Sequence, residues 1–250
     1  MKLQSTNHKN QLNATALPSA IKQYVNGLIS IIYPHFCAAC GNVLFLNEEV
    51  LCLKCYAELP RTCFHPDPEN EVARLFWGRV PVKNATSFIY FNKDSHYRQI
   101  LHELKYRGQQ RVGIEMGRLF GLELKETPFA KADLILPIPL HISKYRKRGY
   151  NQSELIASGI SQVLNIPVKS GLVIRTVATK TQTKKTRYER WMNVKDTFQV
   201  QDPDALHDKY ILLVDDVITT GATVEACAAA LLSVSGVNLS VASLAFAKLQ

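Results

Sequence analysis

The chain has 250 residues, 46% of them hydrophobic, and carries 30 Lys and Arg against 21 Asp and Glu, a formal charge of +9. This is a globular composition, with enough apolar material for one large domain and a small one, and no run long enough to cross a bilayer: residues 25–33 are short and include Asn26 and Gly27. The N-terminal MKLQSTNHKNQLNATALPSA lacks the apolar centre of a signal peptide, so secretion is not expected and a cytoplasmic location is. The positive balance favours nucleic acid or phosphate-rich ligands, although ordinary basic solubility accounts for it equally well.

Residues 1–16 are polar, rich in Asn and Gln and without periodicity, which predicts a flexible tail. Ile21, Val25, Leu28, Ile29 and Ile32 then recur at helical spacing after Pro18 and Ser19, and the helix should end before Pro34. Cys37 and Cys40 (CAAC), eleven intervening residues, then Cys52 and Cys55 (CLKC) form two thiolate hairpins able to close one tetrahedral site, for which zinc is the expected ion. Filling all four positions with sulfur leaves none for water, so the role is structural. Gly41 suits the tight turn after Cys40, and His35 is not needed as a ligand. A disulfide reading is weak for a chain without secretion signals. Cys63 and Cys227, outside the pattern, are expected to be buried hydrophobes. The Pro-rich segment 60–70 marks a boundary, giving a helix and cysteine module over 17–62 and a second domain over 71–250.

Beyond the boundary, residues 85–91 read as a strand and 95–104 as a helix capped by Asp94 or Ser95, ending in Lys105, Tyr106, Arg107 and Gly108. A helix over about 111–125 follows, then a buried strand over 132–138. The next loop carries His141, Lys144, Arg146, Lys147 and Arg148, and Asn151 opens a helix over 154–164. In a parallel α/β sheet such a loop gathers at the carboxyl ends of the strands, where its cations suit a pyrophosphate; each lysine taken singly reads equally well as a solvated charge. Residues 175–198 are polar and basic with little apolar periodicity, as a mobile lid would be. Tyr188 and Trp191 keep open a surface hairpin whose aromatics stack on bases. A last strand is expected at about 241–247.

The densest signal is YILLVDDVITTGATV at 210–224. Ile211 to Val214 are apolar and branched, as in a strand buried on both faces; Asp215 and Asp216 sit at its end; Thr219, Thr220, Gly221, Ala222 and Thr223 form a small-residue loop into an Ala-rich helix over 224–232. A helix N-terminus supplies unsatisfied donors and partial positive charge, Gly221 admits close backbone approach, and threonine hydroxyls add donors, so a phosphate fits. The carboxylates need donors of their own, and ribose hydroxyls supply them. The ligand expected is a ribose 5-phosphate.

Apolar strand, paired acids and TTGAT resemble the phosphoribosyl pyrophosphate (PRPP) motif of type I phosphoribosyltransferases. With PIPLHISKYRKRGYNQS, RTVATKTQ, ERWMNV and the four-cysteine module, residues 20–250 resemble the ComF family of competence proteins. The resemblance implies a type I phosphoribosyltransferase-like, mostly parallel sheet flanked by helices, with a small zinc module at its front. It implies PRPP binding by Asp215, Asp216, Thr219, Thr220, Gly221, Ala222 and Thr223, with Lys105 a less specific match, and a lid using Thr179, Gln182, Arg190 and Asn193; Arg146 and Arg148 of the basic loop are expected to join the PRPP site at the pyrophosphate. The chain departs from the family in its longer polar tail and in Lys184 and Lys185 within the lid.

Two functions follow as expectations. One is an enzyme that transfers the phosphoribosyl group of Mg²⁺-bound PRPP to an unidentified acceptor, Asp215 and Asp216 holding the ribose. The other is a non-catalytic protein that senses PRPP or a nucleotide while its basic surface meets single-stranded DNA. The resemblance implies DNA uptake in natural transformation, alongside a DNA helicase and recombination factors. With so little chain after residue 232, the hood that recognises an acceptor must come from the N-terminal half, in the cysteine module.

Overall fold

A computed structural model describes residues 34–45, 47–106, 109–176 and 197–248. The expected N-terminal tail and helix, and the lid residues Thr179, Gln182, Arg190 and Asn193, lie outside the described residues. The elements in chain order are α1 (Leu53–Ala57), α2 (Glu71–Arg74), β1 (Asn84–Tyr90), α3 (Arg98–Tyr106), α4 (Gln110–Leu124), β2 (Leu134–Pro137), α5 (Ile142–Arg148), α6 (Gln152–Leu164), β3 (Val173–Arg175), β4 (Phe198–Val200), β5 (Tyr210–Ile218), α7 (Ala222–Leu231) and β6 (Asn238–Phe246).

Four strands form a wholly parallel sheet in the order β1-β6-β5-β2. Parallel strands need both faces covered, and the packing alternates accordingly. Leu212 and Val214 of β5 join Ile135, Phe88 and Leu244 under the helices α3, α4 and α6. Ile211 and Leu213 turn the other way, to Leu134, Leu136 and Val241 beneath α2 and α7. Both outer edges of the sheet are occupied. Beside β1, Tyr90 N–H donates to Pro60 O at 2.8 Å and Thr62 N–H to Phe88 O at 3.0 Å. Beside β2, Ile135 exchanges hydrogen bonds with Pro167 and Lys169, each 2.9 Å, so chain lies along part of each edge of the four-stranded sheet.

The cysteine segment packs on the α3/α4 face: Cys37, Ala38, Val50, Leu51, Cys55 and Leu59 share one core with Ile89, Tyr97, Ile100 and Leu104. Arg61 adds an ion pair to Glu123 of α4 at 3.0 Å. On the same face α4 and α6 cross at backbone contact. A Cβ on Gly117 would collide with Ile156 O, and one on Gly159 with Ile114 O and Arg118 N.

Several boundaries differ from those expected, for local reasons. The basic stretch after β2 is a helix, α5, because the His141 side chain accepts from Ser143 N–H at its start and Gly149, at φ 79°, ends it in the left-handed conformation. Helix α5 buries nothing, so apolar periodicity could not announce it. The strand carrying the acids continues through them to Ile218, since β6 pairs alongside as far as Phe246. Cys63 is exposed rather than buried: its backbone takes a left-handed φ of 53° in the connector, turning the thiol to solvent. Cys227 is fully buried, as expected.

The glycine crossing can be tested directly. Alanine in a helix gains about 1 kcal/mol over glycine, whereas overpacking a close contact costs about 1–3 kcal/mol, and here the clash is with backbone, which cannot swing aside. Gly159→Ala is therefore expected to lower the urea midpoint; a raised midpoint would mean the two helices part freely.

Candidate functional site

The site lies where β2 and β5 end. Side chains alternate along β5, so Asp215 follows Leu213 towards α7 and Asp216 follows Val214 towards α3. Asp215 is buried, and its Oδ1 accepts from Ser153 Oγ at 3.2 Å and from Asp216 N–H at 2.8 Å. Ser153 stands in the first turn of α6, placed there by the Asn151 cap, whose side chain accepts from Ser153 N–H at 3.2 Å and donates to Ile138 O at 3.0 Å. Asp216 is half-buried and pairs through Oδ2 with Lys105 Nζ at 3.0 Å. Burial, and then the neighbouring Asp216 charge, push the Asp215 carboxyl up to about 7; its two hydrogen bonds and Lys105 act in the opposite direction.

The loop after β5 is an open anion cradle. Gly221 precedes α7 at φ 75° and has no side chain to cap the helix; Thr220 Oγ1 accepts from Ala222 N–H at a long 3.4 Å, and no side-chain cap reaches the N–H groups that follow. Glycine is required there twice over, by its φ and because a Cβ would come within 3.1 Å of Phe76 Cε1. Thr219 and Thr220 are exposed above it. Arg79 braces the loop from outside, donating to Thr220 O at 2.9 Å and pairing with Glu225 of α7.

Cations converge on the acids from the other elements. Burial depresses the Lys144 ammonium, and the charges of Arg175 and Arg148 depress it further, while Asp216 opposes them. Arg175, at the end of β3, is depressed by burial and stabilised by Asp215. Arg148 donates to Gln152 Oε1 at 2.7 Å, holding α5 against the start of α6. Arg146 and Lys147 are exposed on α5. Lys105, Lys144 and Arg175 therefore share the electrostatic environment of the two carboxylates, and Arg148 lies near enough to Lys144 to act on it.

The four sulfurs of Cys37, Cys40, Cys52 and Cys55 lie within 4.8 Å of one another. Zinc–sulfur bonds of about 2.3 Å in a tetrahedron require sulfurs about 3.8 Å apart. Cys40 and Cys52 Sγ are 3.8 Å apart, so the set is compatible with a structural zinc. Burial raises the Cys37 thiol, but N–H groups of Cys40, Cys52 and Ala39 overcome it and bring the group to about 7. Cys52 N–H reaches Cys37 Sγ at 3.3 Å. The cluster is tied to α3 by His96, whose Nε2 is 3.9 Å from Cys55 Sγ, and by Tyr97, whose hydroxyl donates to Cys55 O at 3.2 Å.

The structure thus brings together Asp215, Asp216, Lys105 and the loop from Thr219 to Thr223, places Arg148 beside Lys144 and Gln152, and gathers the four cysteines separately. Sequence reasoning left out Ser153 as a partner of Asp215, Arg175 as its neighbour and Arg79 as the brace of the loop. Arg79 lies 141 residues from Thr220, and no local pattern announces such a contact.

A parallel sheet with helices on both faces, a paired-acid strand and a glycine-started helix at its carboxyl edge resemble the fold of type I phosphoribosyltransferases. The chain is a homologue of competence and DNA-utilization proteins. It is 33% identical over 137 residues to the DNA utilization protein YhgH of Escherichia coli K12, covering 53% of this chain and 60% of that protein. It is 26% identical over 198 residues to competence protein F of Haemophilus influenzae, covering 75% and 86%, respectively. It is 28% identical over 203 residues to competence protein ComFC of Bacillus subtilis, covering 76% and 80%. The match thus spans about 60% of the YhgH length. Among solved structures, a purine phosphoribosyltransferase from Pyrococcus horikoshii superposes with a TM-score of 0.36 at 18% identity, covering 55% of this chain and 81% of the other. An adenine phosphoribosyltransferase from Thermoanaerobacter pseudethanolicus gives 0.36 at 15%, covering 62% and 87%. No protein-family model matches the chain.

Two measurements follow. Folded Asp215 holds its proton more tightly than the ordinary carboxyl value of 3.8, so its protonation stabilises the fold. That contribution is complete below about pH 4 and is lost as pH rises through 7. Asp215→Asn, which keeps the acceptor oxygen, should match wild type near pH 4 and exceed it at pH 8 by on the order of 2 kcal/mol in urea unfolding. An equal difference at both pH values would mean the acid titrates normally. Purified protein should also contain about one zinc per chain by elemental analysis, and Cys37→Ser with Cys40→Ser should lose it. Full metal retention in that double variant would exclude the four-sulfur site.

Proposed function

We propose that the chain binds PRPP and transfers its phosphoribosyl group to an acceptor, within the handling of DNA that its relatives' names describe. The observation that carries this reading is the Asp215–Asp216 pair, one acid buried and the other half-buried, standing between the start of α7 and the cations Lys105, Lys144 and Arg175. Residues 71–250 would form the transferase domain, and the cysteine module, with zinc held by Cys37, Cys40, Cys52 and Cys55, would act as a hood only indirectly, by holding α3 at the acceptor side of the site.

Each part of PRPP has a partner. The first N–H groups of α7 and the hydroxyls of Thr219, Thr220 and Thr223 bind the 5-phosphate. Asp216 and, once ionised, Asp215 accept from the ribose hydroxyls. Lys144, Arg148, Arg175 and Lys105 face the pyrophosphate, and Arg146 lies on the same helix. The bond from the anomeric carbon to pyrophosphate oxygen breaks with both electrons leaving on the pyrophosphate; the acceptor's lone pair forms the new bond. The carboxylates stabilise the positive charge that develops on the ribose between those events. Thr179, Gln182, Arg190 and Asn193 would close over the site and exclude water, which otherwise competes as nucleophile.

Among the described residues, only the four cysteines form a group of three or more metal-ligating side chains within ligating distance. Mg²⁺ therefore fits this site as an ion carried on PRPP, where it neutralises pyrophosphate charge, rather than as one caged by the chain.

A second reading takes only its link to DNA from the relatives' printed names, DNA utilization and competence: the same pocket would bind PRPP without turnover, while Lys184, Lys185 and Arg187 would contact single-stranded DNA. Its partners would then be the helicase and recombination factors of competence. Titration calorimetry with PRPP and Mg²⁺, followed by pyrophosphate release across a panel of acceptors, separates the two. The expected result is saturable PRPP binding, lost by at least about tenfold in Asp215→Asn with Asp216→Asn, and acceptor-dependent pyrophosphate release in wild type only. Turnover undiminished in that double variant would remove the proposed roles of the acids. Binding without release for any acceptor favours the second reading.

A further inference from the structure

A cavity of about 1170 Å³ opens beside the acids, at the carboxyl ends of β1, β5 and β6. Its wall towards the site is Lys105, the partner of Asp216, and Val217 and Thr219 of the β5 edge complete that side. Buried Leu101 and half-buried Tyr90 and Phe91 give it apolar and aromatic surfaces. Its charges are unbalanced: Lys93, Arg98, Lys105 and Lys248 line it against a single acid, Asp94. Arg98 is held in place by a hydrogen bond to Lys93 O at 2.9 Å, and Lys248 by Glu71 at 2.9 Å.

In open parallel sheets, ligands bind outside the carboxyl ends of the strands, and this cavity occupies that position one strand along from the phosphate cradle. An apolar aromatic wall beside three cations outside the Asp216 pair matches a flat ring that carries negative charge. Lys248 already has Glu71 as its counter-ion, so a neutral ring would leave Lys93 and Arg98 with Asp94 alone as counter-charge once water is displaced. We propose that this cavity is the acceptor site, and that it takes a planar ring bearing an anionic group, a phosphate or a carboxylate. The assignment rests on the PRPP reading for the meaning of "acceptor", but the cavity's preference for ring anions stands on its own lining. Lys105 sits between the two ligands, facing Asp216 on one side and the ring anion on the other.

The test is calorimetric, on the full chain, with and without saturating PRPP and Mg²⁺. The carboxylate arm compares nicotinate with nicotinamide, and the phosphate arm adenosine 3′-monophosphate with adenosine; neither anion carries a 5-phosphate for the cradle. The expected result is that the charged member of at least one pair binds, with affinity falling as salt rises, and that its neutral counterpart binds at least about tenfold more weakly. Lys93→Ala with Lys248→Ala, both exposed and remote from the folding core, should weaken the anion about tenfold while PRPP affinity changes less than about twofold. Whichever arm responds identifies the anionic group. Neutral and charged members binding alike, no probe binding, or anion affinity unchanged in the double variant would each overturn the assignment. Failure of PRPP to bind wild type would instead sink the function proposed above, and probe binding measured without PRPP keeps the two failures distinct.

Discussion

A carboxylate buried in a strand that is apolar on both sides is the constraint around which the rest of the molecule is arranged. Ionised and unpaired, Asp215 would cost several kcal/mol, since water cannot reach it to offset the loss of hydration. The fold answers with fixed donors, not with a cation in contact: Ser153 from the start of α6 and the next peptide N–H of β5 both point at one oxygen. That in turn requires α6 to begin at a definite place, set by the Asn151 cap and its bond to Ile138 O at the end of β2. The backbone contact between α4 and α6 through Gly117 and Gly159 then fixes how far α6 stands from the sheet. The acid is left partly protonated near neutrality, so any ligand that brings hydroxyl donors or positive charge to it is bound together with the release of a proton.

The second acid is handled differently, and the difference makes the site directional. Asp216 takes its counter-ion from α3, a helix whose other end is pinned to the cysteine cluster through His96 and Tyr97. The cysteine segment therefore positions a charged side chain at the site without being part of it. Arg98, the first residue of α3 and the neighbour of Tyr97, lies about two helical turns from Lys105, short enough that a rigid helix transmits the placement of one end to the other.

Much of this was legible in the chain because the relevant signals are local. The apolar run before Asp215, the small residues after it, and the paired cysteines each state their chemistry within a few positions. Helix α5 was not legible, because a helix with no buried residue has no periodicity to read and depends on its caps, His141 and Gly149. Cys63 misled because composition cannot report a left-handed backbone. Arg79, Ser153 and Arg175 acquire their roles only through contacts across the fold, and Gly117 and Gly159 look like weak points in helices until the partner helix is in place.

The strand order has a consequence for how the molecule forms. β6, the last strand in the sequence, lies inside the sheet between β1 and β5, and joins Asn84 to Ser240 across 156 residues. Until it is inserted, β1 has no partner strand and the sheet is two separate pieces. Such long-range closure is slow compared with local helix formation, so the nascent chain must carry an unpaired apolar strand while all the residues between β1 and β6 are made. The connector at Pro60 to Thr62, already hydrogen-bonded along the outer side of β1, leaves that waiting strand with one sticky edge instead of two.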